Sequence, residues 1–253
     1  MPKIISVHSF RGGTGKSNIT ANLAATVARY GHRVGIVDTD IQSPGIHVVF
    51  GFDEETMDRS LNDYLWGRCD IEDTAYDVSS ALKETAQKNS AIYLIPSSLN
   101  LGEITRVLRE GYDVGLLHDG FQELLERLNL EYLFIDTHPG LNEETLLSIT
   151  ISDALIIILR PDRQDFQGTA VTVDVARQLE VPELLLVVNK ALQNLDFKAL
   201  RERVELTYNA PVAGIFPLSE EVMELASSDI FCLRNPYHPF SLAVEAIAKQ
   251  IMV

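Results

Sequence analysis

The residues best suited to chemistry stand near the start of the chain. "SFRGGTGKSN", residues 9–18, follows a short apolar run and sets Gly12, Gly13 and Gly15 around Thr14, ahead of Lys16 and Ser17. Glycines at this spacing let backbone N–H groups curl around phosphate oxygens, where side chains would obstruct them. A helix starting near Lys16 adds the partial positive charge of its first turn. Lys16 would then reach the β- and γ-phosphates of a nucleotide, and the Ser17 hydroxyl would ligate Mg2+. The standard pattern G-x-x-x-x-G-K-[ST] fails at its first glycine, where Phe10 stands, and Arg11 puts a cation directly ahead of Gly12.

Three further groups end apolar runs. In "VDTDIQSPG" (37–45), Asp38 and Asp40 flank Thr39. Two carboxylates beside a bound triphosphate repel it unless Mg2+ or water lies between, so one would approach the metal shell while the other holds the attacking water. In "LFIDTHPG" (133–140), Asp136 ends an apolar run and would hold a water of the Mg2+ shell. The Pro139-Gly140 turn would face the γ-phosphate with a backbone N–H, and His138 reads as a packing or surface residue. In "LLVVNK" (185–190), the Asn189 amide matches the donor and acceptor edge of adenine, with a turn-forming Asn as the structural alternative.

These groups need elements that bring them together. Apolar runs at 3–10, 33–38, 91–96, 131–136, 154–160, 183–189 and 212–216 are apolar throughout rather than alternating, as in strands buried on both faces. Ile19, Leu23, Ala24, Val27 and Ala28 recur at helical spacing and predict a helix over 17–30, stopped by Gly31. Helices are also predicted near 103–109, 115–128, 142–151, 166–180, 196–207, 220–227 and 241–251. Strand–helix alternation implies a single-domain three-layer α/β/α sandwich over 1–253, with a mostly parallel, doubly wound sheet of about seven or eight strands. The polar region 52–90 reads as an excursion carrying a short helix around Leu61–Trp66. In open α/β sheets ligands bind beyond the carboxyl ends of the strands, where all four groups fall.

Composition narrows the class. The chain has 253 residues, 46% of them apolar, enough for one large domain. Its formal charge of −15 repels nucleic acid and anionic lipid at long range. Cys69 and Cys232 stand far apart, which suits a reducing compartment and argues against a disulfide framework or a zinc site. No signal peptide is read at the N-terminus, and no apolar stretch reaches the roughly 18 residues of a membrane helix. The expectation is a soluble cytoplasmic protein.

In order and spacing, the four groups resemble the deviant-Walker P-loop ATPases of the MinD/ParA group. That group shares a loop K-G-G-x-G-K-[ST], a D-x-D after the second strand, a D-x-P-G-like switch, and an Asn before Lys or Arg late in the sheet. A late I-P-x-x-x-x-V segment is matched by "IFPLSEEV" (215–222). The resemblance implies ATP and Mg2+ as cofactors, a homodimer around ATP, and slow hydrolysis stimulated by a protein partner. It implies a switch that positions or partitions cellular cargo. It assigns nucleotide contacts to Gly12, Gly13, Thr14, Gly15, Lys16, Ser17, Asn18, Asn189 and Pro217. Ser17, Asp136 and Asp38 fall on the metal side, and the family's hydrolysis Asp matches Asp40. Its signature Lys, which crosses to the partner's phosphates, matches Arg11. A nucleotide-sensing adaptor with little hydrolysis is the alternative. The end of the chain, "FSLAVEAIAKQIMV", carries one Lys and reads as a helix packed on the sheet rather than a membrane tail. Arg160, Arg163, Arg177, Lys190, Lys198, Arg201 and Arg203 are the candidates for binding DNA, but acidic residues intersperse them.

Overall fold

The computed structural model describes every residue except Ala226. Eight strands form one sheet in the order β3-β4-β2-β5-β1-β6-β7-β8. They are β1 (Lys3–His8), β2 (Arg33–Asp38), β3 (Tyr76–Asp77), β4 (Ala91–Ile95), β5 (Tyr132–Asp136), β6 (Ala154–Leu159), β7 (Glu183–Ala191) and β8 (Val212–Pro217). All neighbours pair in parallel except β3, which runs antiparallel to β4 at the edge. The predicted runs become these strands, with β7 reaching past Asn189 to Ala191. The edge strand β3 was not predicted: two residues carry no periodicity, and the excursion at 52–90 returns to the sheet through them.

The helices are α1 (Lys16–Arg29), α2 (Leu61–Leu65), α3 (Leu101–Glu110), α4 (Gly115–Arg127), α5 (Glu143–Thr150), α6 (Arg163–Gln178), α7 (Phe197–Tyr208), α8 (Glu220–Glu224), α9 (Phe231–Arg234) and α10 (Pro239–Ile251). Side chains alternate across the sheet and sort into three apolar clusters, one on one face and two on the other. Ile5, Val7, Val34, Ile36 and Phe134 face one side and pack with α1 and α10. Val37, Leu133 and Ile135 face the other side with α4, and Leu155, Ile157 and Val188 join α6 and α7 there. Both faces are therefore covered, which is why the strands read as unbroken apolar runs.

Local chemistry sets the helix starts. Asp162 caps α6 by accepting the N–H groups of Gln164 and Asp165, and Asn142 caps α5 by accepting from Thr145. α1 starts without a side-chain cap, behind Gly15 in the left-handed region, so its first N–H groups are left for a ligand. The helix predicted at 220–227 is shorter, ending at Glu224.

Candidate active site

β1 lies between β5 and β6, and β5 also pairs with β2. The register sets Asp38 directly beside Asp136, and Val7 beside Asp136 on the other side. The loops after three neighbouring strands must then meet. That brings the glycine loop, the Asp38–Asp40 pair and the 136–140 segment to one end of the sheet.

Lys16 and Asp136 form a buried ion pair, Nζ to Oδ1 at 2.7 Å, with side chains 6% and 1% exposed. The Thr20 hydroxyl donates to the same Oδ1 at 3.3 Å. Asp136 Oδ2 is buried and has no partner. Both oxygens of Asp38 accept backbone N–H groups, from Asp40 at 3.0 Å and Gly45 at 3.1 Å. Burial first, then the Asp136 carboxylate, hold Asp38 well above the ordinary carboxylate range, against the opposing pull of Lys16. Asp38 and Asp136 thus share the one ammonium of Lys16, and the cluster is short of positive charge.

A small divalent cation fits that deficit. Among the described residues no group of three or more His, Cys, Asp or Glu side chains forms a ready-made cage. Mg2+ ordinarily takes one or two carboxylates and fills the rest of its shell with water and phosphate oxygens. The orphaned Asp136 Oδ2 supplies the acceptor, and Ser17 follows Lys16 in the first turn of α1.

The loop itself is bent by Gly13 (φ 76°) and Gly15 (φ 93°), conformations that side chains with a Cβ rarely adopt. A Cβ at Gly15 would lie 2.5 Å from Asn189 Nδ2. Asn189 donates to Thr14 O at 2.7 Å and accepts from the Lys190 N–H at 2.9 Å, while Lys190 Nζ reaches Gly13 O at 2.8 Å. The residue expected beside a base is thus a buttress of the glycine loop, with one amide hydrogen left over. Beyond it lies a pocket of about 300 Å³ lined by Gly15, Asn18, Ile19, Asn189, Pro217 and Phe240, among others. Asn18 is half-turned into its helix, where its carbonyl and side-chain oxygen accept from Asn22. Asn18, Asn189 and Pro217, distant in sequence, share this pocket with the loop.

Arg11 does not point into the pocket. Its guanidinium sits 3.3 Å from Asp165 and 3.9 Å from Asp162, at the start of α6 in the same chain. Asp165 also accepts from Arg160. The Phe10 ring lies against α6 at Gly168, where any Cβ would overlap it. Gly140 has φ 88° and spends its N–H on Ser9 O at 3.2 Å, so the amide expected to face a γ-phosphate is tied to the glycine loop in this arrangement.

Two histidines join the site. His138, read from sequence as a packing or surface residue, contacts Asp40 with Nδ1 to Oδ1 at 2.6 Å. The sequence signal was its position two residues past Asp136, but only the strand order says which loop it meets. His8 ends β1 fully buried, with Nδ1 2.7 Å from the Thr137 hydroxyl. That hydroxyl donates to Val7 O, so His8 Nδ1 carries the proton and its Nε2 is a buried acceptor without a partner. Burial, helped by Lys16 and His138, pulls His8 down to about 3, and the ring is neutral.

The sequence model of one protein family, described as an AAA domain, matches residues 2–185. An uncharacterized ATP-binding protein of Methanocaldococcus jannaschii is 26% identical over 251 residues, covering 98% of this chain and 87% of that protein. The crystal structure of the cell division ATPase MinD of Pyrococcus furiosus superposes with a TM-score of 0.82 at 22% identity, covering 100% of this chain and 99% of that one. The septum site-determining protein MinD of Pyrococcus horikoshii, complexed with Mg-ADP, gives a TM-score of 0.80 at 20% identity, covering 99% and 96%. The glycine loop, the strand-end carboxylates and the matched family agree: the chain belongs to the AAA domain family, among the P-loop ATPases of the MinD/ParA group.

Proposed function

We propose that this chain is a single-domain, Mg2+-dependent, slow ATPase that dimerises around ATP and acts as a switch in positioning or partitioning cellular cargo in the cytoplasm. The observation that carries the reading is the buried Asp136 Oδ2, without a partner, beside Lys16 at the foot of the glycine loop. Bound Mg2+ would neutralise charge on the phosphates and on the carboxylates that now crowd one another. Lys16 leaves Asp136 for the β- and γ-phosphates, and the backbone of Gly12 to Ser17 cradles them. Ser17, Asp136 and Asp38 would hold the metal shell, with Asp38 kept in place by two backbone N–H groups. Asp40 orients the attacking water. Arg11 releases Asp165 and stabilises charge on the partner subunit's nucleotide. The pocket at Asn18, Asn189 and Pro217 receives the base.

The complex of MinD with Mg-ADP, similar in fold, supports this choice of cofactors. Arg160, Arg177 and Arg201 each pair with a neighbouring acid, which weakens any stripe of free charge for DNA. A protein partner that stimulates turnover fits better than nucleic acid. The adaptor reading draws on Arg11 resting on its own α6, and phosphate release decides between the two.

Asp40→Ala is the direct test. It should bind ATP, stop turnover and accumulate as an ATP-bound dimer by sedimentation. Unchanged phosphate release would remove Asp40 from the reaction, and wild-type protein that releases none would leave the adaptor.

A further inference from the structure

His138 reaches Asp40 across 98 positions of sequence because their loops follow adjacent strands. A carboxylate has no proton to give, so Nδ1 donates, and the bond is short at 2.6 Å and charge-assisted. The same Oδ1 also accepts the Ser43 N–H at 3.2 Å. Among the described residues no donor meets Oδ2. The torsion that turns an Asp carboxylate is broad, with no sharp well of its own. Two donors on one oxygen therefore decide which oxygen faces outward.

His138 is held firmly enough to do this. Its carbonyl accepts the Thr145 hydroxyl of α5 at 3.2 Å. The preceding Thr137 is tied to β1 by its N–H and its hydroxyl, both on Val7 O, and by His8. The His138 side chain is 23% exposed and that of Asp40 11%, so the pair sits at the rim, where water enters, and not in the sealed core.

We propose that His138 is a positioning residue for hydrolysis: it pins Asp40 Oδ1 and so presents Oδ2 to the attacking water. The inference rests on the reading of Asp40 as the residue that orients that water. It makes the 136–140 segment a contributor to water placement as well as to the metal shell. Losing such an alignment lowers the rate without weakening the hold on nucleotide, because phosphate and base contacts lie elsewhere.

The test uses the full chain with Mg-ATP, measuring phosphate release for kcat and KM and a fluorescent ATP analogue for affinity. His138→Ala and His138→Leu should lower kcat roughly ten- to hundredfold with affinity within about twofold of wild type. His138→Asn, whose side-chain N–H stands near the place of Nδ1, should recover most of the rate. Added to Asp40→Ala, His138→Ala should lower the rate no further. Wild-type turnover by His138→Ala beside an impaired Asp40→Ala overturns the proposal and leaves Asp40 in its role. Wild-type turnover by Asp40→Ala overturns both. If His138→Asn is as slow as His138→Ala, or if His138→Ala loses affinity in step with rate, the residue is structural and the proposal fails.

Discussion

Arg11 rests on Asp165 with its side chain 36% exposed. Half-exposed pairs of this kind contribute about 0–1 kcal/mol. Asp165 would keep Arg160 if Arg11 left it for a phosphate, as proposed above. Arg11→Ala should therefore change the unfolding free energy of the monomer by no more than about 1 kcal/mol in urea. It should abolish ATP-dependent dimerisation in sedimentation, while Arg11→Lys retains it. A dimer formed by Arg11→Ala as readily as by wild type would show that the cation does not act across subunits. Asn189, expected beside a base, instead donates its side-chain N–H to the glycine loop at Thr14 O.

At the scale of elements, the glycine loop is clamped between α6 and the 136–140 segment. Phe10 fills the space left by Gly168, and Gly140 bonds Ser9. Gly168→Ala drives a methyl into the Phe10 ring and should destabilise by about 1–3 kcal/mol, as overpacking does. Phe10→Ala removes the obstruction, so the double variant should be more stable than the sum of the single effects predicts. Simple additivity in urea unfolding would show that the ring turns away without strain. Phe10 stands out in the sequence because it breaks the standard glycine pattern. That its partner is a glycine on α6 follows only from how α6 packs over the sheet.

At the scale of the molecule, stability should depend on pH through His8, which joins β1 to β5 by way of Thr137. Its pKa falls from an ordinary 6.5 to about 3 in the fold, mainly through burial. Between those values the unfolded chain binds a proton that the folded chain does not, so stability is lost as pH falls through that window. From pH 7 to pH 5 the loss amounts to about 2 kcal/mol. His8→Asn, which keeps a donor for Thr137 but does not titrate, should lose that much less over the same interval in urea unfolding. Parallel pH curves for the two proteins would show that His8 gains no protection from the proton in the fold. No helix among the described residues is long and apolar enough to cross a membrane.

The sequence by itself determined the layers and set out the candidate groups. Gly13, Gly15 and Lys16 are what a phosphate loop would require, and unbroken apolar runs such as "ALIIIL" mark strands covered on both faces. Local propensity and periodicity reach that far because they concern neighbours in the chain. The tertiary structure alone decided which strand ends are neighbours. Strand order put Asp38 against Asp136, His138 against Asp40, Arg11 against Asp165 and Asn189 beneath Thr14. Those pairings lie between 98 and 175 positions apart. They are fixed by the register of parallel strands joined through helices, which no local pattern encodes.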